Sequence, residues 1–190
     1  MARVIISETQ QRIIDAFFIV AEECDNPQKI TMKKIADKAG IKRQNIYKKH
    51  FSNIDDLLNT IHRLINWECE EKFEEFPESG SSDLLAYFAQ EILPLLYDKR
   101  DWLKILYGTT TDSSWAAFLQ KSYTPYLRNY LTHAEKKTGL SADFLCSLVV
   151  RQIIALVANW LTSEHPEPAS LFKKKFMYCV STSTYDLINL

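Results

Sequence analysis

The sequence predicts an all-α protein of about nine helices, and three observations predict it. Apolar residues recur at three- and four-residue spacing in nearly every segment, the period of a helix with one buried face, and no segment alternates as a half-buried strand would. Only 4 Gly and 6 Pro occur in 190 residues, too few for the turns of a sandwich or barrel. At 46% hydrophobic and 25% charged residues the chain can bury a sizeable core, with 10 Phe, 9 Tyr and 4 Trp to make it bulky or to line a cavity. The scarcity of glycine also argues against a nucleotide-binding fold built on glycine loops.

The elements follow in order. A first helix spans about 8–24, with Ile13, Phe17, Val20, Ala21 and Cys24 on one face, and Asn26-Pro27 ends it. Thr31 is placed to cap a short helix over about 32–38, whose inner face carries Ile35, Ala36 and Ala39. Gly40 allows a tight turn into a third helix over about 42–49, with Ile41, Ile46 and Phe51 apolar. Asn53 with Asp56 has the form of a capping box and opens a long helix over about 54–75, with Leu57, Leu58, Ile61, Leu64 and Ile65 inside. The Pro-Glu-Ser-Gly-Ser-Ser stretch at 77–82 is the clearest loop. Aromatic-rich helices follow at about 83–97, 99–109 and 113–137, and Pro94 and Pro125 should kink or break them. Ser141 caps a very apolar helix over about 142–163, a turn occupies 165–168, and a last helix spans about 169–188.

The apolar stretch 144–161 is interrupted by Ser147, Arg151, Gln152 and Asn159. A central arginine is costly in a bilayer, so this reads as a buried helix of a soluble protein with no membrane partner. The amino terminus, MARVIIS, has no apolar run long enough for a signal peptide. Cys24, Cys69, Cys146 and Cys179 form no CxxC pair and read as reduced, mostly buried thiols of a cytoplasmic protein.

Net charge is −1, but it is unevenly placed: residues 1–52 hold 10 Lys/Arg against 6 Asp/Glu, and residues 53–190 hold 13 against 18. Residues 26–50 carry eight Lys/Arg against Asp37 alone. Such a basic patch on an otherwise acidic chain points to a polyanion bound at one end. The patch coincides with two short helices around Ala39-Gly40-Ile41, the geometry of a helix-turn-helix whose second helix enters the DNA major groove. Lys42, Arg43, Gln44, Asn45, Tyr47 and Lys48 fall on its outward side. Arginine reads guanine bidentately, Asn or Gln reads adenine, and lysines and a tyrosine hydroxyl grip phosphates.

Here the sequence resembles the TetR family of bacterial transcriptional repressors. The matching residues are Thr31, Ile35-Ala36, Ala39-Gly40-Ile41, Ile46-Tyr47, His50-Phe51 and Asp55-Asp56-Leu57-Leu58, so the specific part of the resemblance covers about residues 8–62. The resemblance implies a helix-turn-helix DNA-binding domain over 1–52 and a ligand-binding and dimerisation domain over 53–190, connected by the helix at 54–75. It implies a homodimer on a palindromic double-stranded operator, released when an apolar or aromatic small molecule enters the second domain. No cofactor is expected. The DNA-contact candidates are Thr31, Lys33, Lys42, Arg43, Gln44, Asn45, Tyr47, Lys48, Lys49, His50 and Asn53. Two residues depart from the family pattern: Lys42 stands where a small capping residue is common, and Asn53 where a lysine is.

In the second half, Trp102, Tyr107, Trp115, Tyr123, Tyr126 and Trp160 are the candidate cavity residues. Ile153 and Val157 on the penultimate helix, with Phe172, Phe176, Val180 and Leu187 on the last, are the candidate dimer interface. Leu64, Ile65 and Trp67 are placed to pass a signal to the head. An enzyme is disfavoured: His50, His62, His133 and His165 form no HExxH or Cys/His cluster, and no GxSxG or phosphate loop occurs. The alternative to ligand control is a regulator governed by cysteine oxidation or by a protein partner.

Overall fold

Helix α1 (Glu8–Glu22) begins where the sequence satisfies its own backbone. In the computed structural model, which describes residues 4–24, 29–78, 83–108 and 114–189, the Ser7 hydroxyl oxygen accepts from the Gln10 N–H at 3.2 Å. The Gln10 side chain accepts in turn from the Ser7 N–H at 3.0 Å, the reciprocal pair of a capping box. Helix α2 (Met32–Ala39) is capped by Thr31, whose hydroxyl accepts from the Lys34 N–H at 3.3 Å. It ends at Gly40, which is left-handed at φ 66°. The Arg12 guanidinium donates to the Ala39 carbonyl at 2.8 Å and ties α1 to this turn. A Cβ on Gly40 would meet nothing closer than Arg12 Nη2 at 3.8 Å. Gly40→Ala therefore adds backbone strain without a clash. We expect a loss of about 1 kcal/mol in urea unfolding; an unchanged midpoint would show that the turn relaxes freely.

Helix α3 (Arg43–Lys49) follows, and α4 (Ile54–Glu75) starts at Asn53, whose side chain accepts from the Asp56 N–H at 2.8 Å. The return half of that expected box goes to Ser52: its N–H and its hydroxyl each donate to Asp56 at 2.8 Å. The buried face of α4 runs through Leu57, Ile61, Ile65, Cys69 and Phe73, in one continuous apolar cluster with the inner faces of α1 and α2.

The remaining elements are α5 (Leu84–Tyr87), a π-type turn (Phe88–Ile92), α6 (Leu93–Asp98), α7 (Arg100–Gly108), α8 (Trp115–Thr138), α9 (Ala142–Leu161), α10 (Ala169–Ser181) and α11 (Thr184–Ile188). Among the described residues there are eleven α-helices and no strand, against the nine helices expected. Both extra breaks have local causes. Pro94 has no N–H, and the turn before it widens so that the Leu93 N–H reaches back to the Phe88 carbonyl. The last helix parts at Thr182, which is extended (φ −104°, ψ 131°), within a Ser-Thr-Ser-Thr run. Those hydroxyls compete for the backbone: Ser181 donates to the Met177 carbonyl at 2.8 Å, and Ser183 caps α11. Pro125, by contrast, lies inside an unbroken α8. The Asn26-Pro27 stop and most of the 77–82 loop lie outside the described residues; Phe76–Glu78 forms a 3-10 turn.

Candidate nucleic-acid interface and apolar cavity

Helix α3 is held from below by one residue and free above. Ile46 is fully buried, and Phe51 just beyond the helix is buried with it. Lys42, Arg43, Gln44, Asn45, Tyr47, Lys48 and Lys49 are all exposed, and His50 is half-buried. Lys42, Gln44, Asn45, Lys48 and Lys49 make no side-chain hydrogen bond or ion pair among the described residues. Arg43 lies over the Tyr47 ring at 5.6 Å, one turn apart. Tyr47 is thus a surface residue on the outer side of α3. Thr31 and Asn53 are exposed but spend their acceptors on capping α2 and α4, and Lys33 is exposed and unengaged. Two other lysines of the patch are committed to the end of α1: Lys38 bridges to Glu23 at 2.5 Å, and Lys34 donates to the Cys24 sulfur at 3.6 Å.

Lys42 occupies the N-cap of α3 and supplies no side-chain cap. The missing cap has a stability consequence. Lys42→Ser should gain about 0.5–1 kcal/mol in thermal or urea unfolding, by satisfying a backbone donor that Lys42 leaves to water. A neutral or destabilised variant would show that the cap geometry is wrong for a hydroxyl.

The body holds a partly open apolar cavity of about 60 Å³ between α4, the α5–α6 segment, α7, α8 and α9. Tyr107, Trp115, Tyr123 and Tyr126 line it. Trp102 and Trp160 do not, and their placement corrects the expectation. Trp102 stacks on Phe18 of α1, centroids 4.6 Å apart at 15°. Trp160 stacks on Phe172 at 4.3 Å and 8° and donates its indole N–H to the Glu167 carbonyl at 2.9 Å. His62 is buried against the Trp115 and Phe118 rings, at 5.0 and 4.9 Å.

One polar chain reaches the cavity. The Tyr123 hydroxyl donates to Asn66 Oδ1, and Asn66 Nδ2 donates to Glu70 Oε1 at 2.7 Å. Asn66 and Glu70 are both buried. Burial holds the Tyr107 and Tyr123 hydroxyls protonated far above the ordinary tyrosine range. Cys69, on the same helix, is pushed up to about 12 by burial, so its thiol stays protonated and unreactive at neutral pH. Cys69 is buried, as its place in an apolar helical pattern predicts; sequence periodicity did not single out Asn66 or Glu70.

The expected interface residues divide. Val157 and Phe176 are buried within the protomer, and both Ile153 and Val157 line the cavity. Phe172 and Val180 are half-buried against the core, and Leu187 is exposed on α11. On α9 and α10 the large apolar side chains that stand exposed are others: Phe144 (54%) and Leu148 (53%) on α9, with Leu171 (61%) and Tyr178 (50%) on α10. The expected buried helix at 142–163 is therefore two-faced. It is the one helix among the described residues long and apolar enough to cross a bilayer, but its outer face also carries Arg151, Gln152 and Asn159.

No protein-family model matches the chain, and no curated protein matches it in sequence. Solved structures do. The transcriptional regulator FadR from Bacillus subtilis, in complex with stearoyl-CoA, superposes at TM-score 0.66 with 20% identity, covering 88% of this chain and 95% of its own. The dihydroxyacetone kinase operon activator DhaS superposes at TM-score 0.51 with 20% identity, covering 92% and 95%. The TetR family repressor AlkX from Dietzia sp. aligns more loosely, at TM-score 0.43 and 17% identity over 91% and 96%. The chain has the all-helical, TetR-like fold that it shares with the regulator FadR.

Proposed function

We propose that the chain is a cytoplasmic, homodimeric transcriptional regulator of TetR type. In this reading the 1–52 head binds a palindromic operator, and the 53–190 body holds a small-molecule effector that releases it, as a repressor would be released. The observation that carries it is the row Lys42, Arg43, Gln44, Asn45, Tyr47 and Lys48, exposed together on a helix anchored by the fully buried Ile46. Exposed groups that read base edges and grip phosphates, on a fold shared with a transcriptional regulator, are what operator recognition requires.

The exposed Phe144, Leu148, Leu171 and Tyr178 supply an apolar face for a second copy. Arg151, Gln152 and Asn159 beside them suit a protein surface better than lipid. For the effector, the walls are those an apolar body packs against, as the acyl chain of the stearoyl-CoA bound by FadR would. The present volume of about 60 Å³ is under half of the roughly 150 Å³ that admits benzene, so binding must widen the cavity. That displacement is the source of a signal to the head.

The test is fluorescence anisotropy with palindromes selected from a random pool. Binding should fall with salt at a log–log slope of roughly −0.9 per phosphate contact. Lys48→Ala should weaken all sequences alike and flatten that slope by about one unit per protomer. Salt-independent affinity, or no selected sequence, would defeat the reading. Oxidant control has one observation in its favour, the half-buried Cys24 beside Lys34. Peroxide release that survives in wild type and vanishes in Cys24→Ser would favour it.

A further inference from the structure

Resting on the reading of the cavity as an effector site, we infer that its effector is an apolar molecule with a cationic head. Behind the polar end of the cavity lies a carboxylate that the protein itself leaves short of a positive partner: Asn66 lines the wall, and Glu70 stands behind it, held by the Asn66 amide. Glu70 is 4% exposed and lies between the lining residues Asn66 and Phe73 on one stripe of α4. Its partner is the neutral Asn66 amide, and no Lys, Arg or His of the described residues pairs with it. The lysines nearby are already engaged: Lys99 with Glu68, and Lys72 with Glu75 at 2.7 Å. A buried carboxylate with one neutral donor is an expensive arrangement, and a cation brought by a ligand completes it.

The rings around it favour the same charge. Phe73 lies 5.0 Å from Tyr123 and 5.3 Å from Tyr126, and the two tyrosines are 6.3 Å apart. Ring faces attract ammonium groups through their quadrupoles, as aromatic cages do. The negative field also reaches this wall: Tyr126 holds its proton above the ordinary range through burial, then through Glu74 and Glu70. A carboxylate or phosphate head would meet the ring faces with Glu70 close behind Asn66, and both repel it.

The test uses three ten-carbon probes of equal tail: decyltrimethylammonium and decanoate, each below its micelle-forming concentration, and decanol, below its solubility limit. Binding to the full-length protein is followed by calorimetry. The ammonium probe should bind about tenfold or more tighter than decanoate, with the alcohol between them. Glu70→Gln, which keeps an acceptor for Asn66, should bring cation and alcohol within roughly threefold and leave decanol unchanged. Tyr126→Leu should weaken the cation alone, and it carries the test if Glu70→Gln does not fold. Decanoate binding as tightly as the ammonium overturns the inference and leaves the effector cavity standing. Failure of all three probes to bind overturns both.

Discussion

Arg43→Ala and Asn45→Ala should each lower operator affinity by about 2–6 kcal/mol in a dimer. A bidentate contact is worth about 1–3 kcal/mol, and each substitution removes it from two half-sites. At 1.4 kcal/mol per decade that is roughly thirtyfold to beyond ten-thousandfold. The loss should be specific. Both side chains stand on the exposed face of α3, and the core beneath them is Ile46 and Phe51, which neither touches through a hydrogen bond. Circular dichroism and thermal unfolding should therefore be nearly unchanged. Binding to random DNA should fall far less, because Lys42, Lys48 and Lys49 still release counterions from phosphates. Selection from a randomised operator separates the outcomes. Each variant should relax preference at one base position per half-site. Unchanged base preference in Asn45→Ala would make that residue a bystander and leave Arg43 and Gln44 as the readers.

That head was legible because its signals are local. Thr31, Gly40 and Asn53 mark helix ends within a few residues of the turns they cap, and the outward side of an eight-residue pattern follows from the burial of Ile46 alone. The body was less legible for the complementary reason. Tyr123 meets Asn66 across 57 positions of sequence, and Glu70 sits in a Glu-Cys-Glu-Glu run that reads as a solvated surface. Helical period places Trp102 and Trp160 on inner faces but not against a particular neighbour; one went to α1 and the other to α10. On α9, apolar nearly all round, the pattern could not say that Val157 turns inward while Phe144 and Leu148 turn out. The contact of Lys34 with Cys24 likewise joins residues ten apart in sequence.

Trp102→Leu should uncouple the two halves while leaving each able to bind. Helix α7 touches both. Trp102 stacks on Phe18 of the head helix α1, and Tyr107, five residues on, lines the cavity. At 1.5 Å per residue those side chains are about 7–8 Å apart along the helix axis, on one continuous rod. A ligand that widens the cavity must move its walls, and a short rigid helix carries that displacement to Phe18. The competing route is α4, where Ile65 lines the cavity and Leu57 is buried toward the head end. Trp67, half-buried on that helix, is one of the three residues the sequence pointed to, with Leu64 and Ile65. The two routes give different results. Coupling energies of this kind are typically about 1–3 kcal/mol, a 5- to 150-fold change in operator affinity between free and liganded protein. If α7 is the lever, Trp102→Leu should reduce that factor to near one with the tightest-binding ten-carbon probe, and Trp67→Ala should leave it largely intact. Linkage supplies an independent check, because saturating operator DNA must weaken probe binding by the same factor in wild type and by none in Trp102→Leu. If release is unchanged in Trp102→Leu and lost in Trp67→Ala, the signal runs along α4, and the stack on Phe18 only fixes where the head sits.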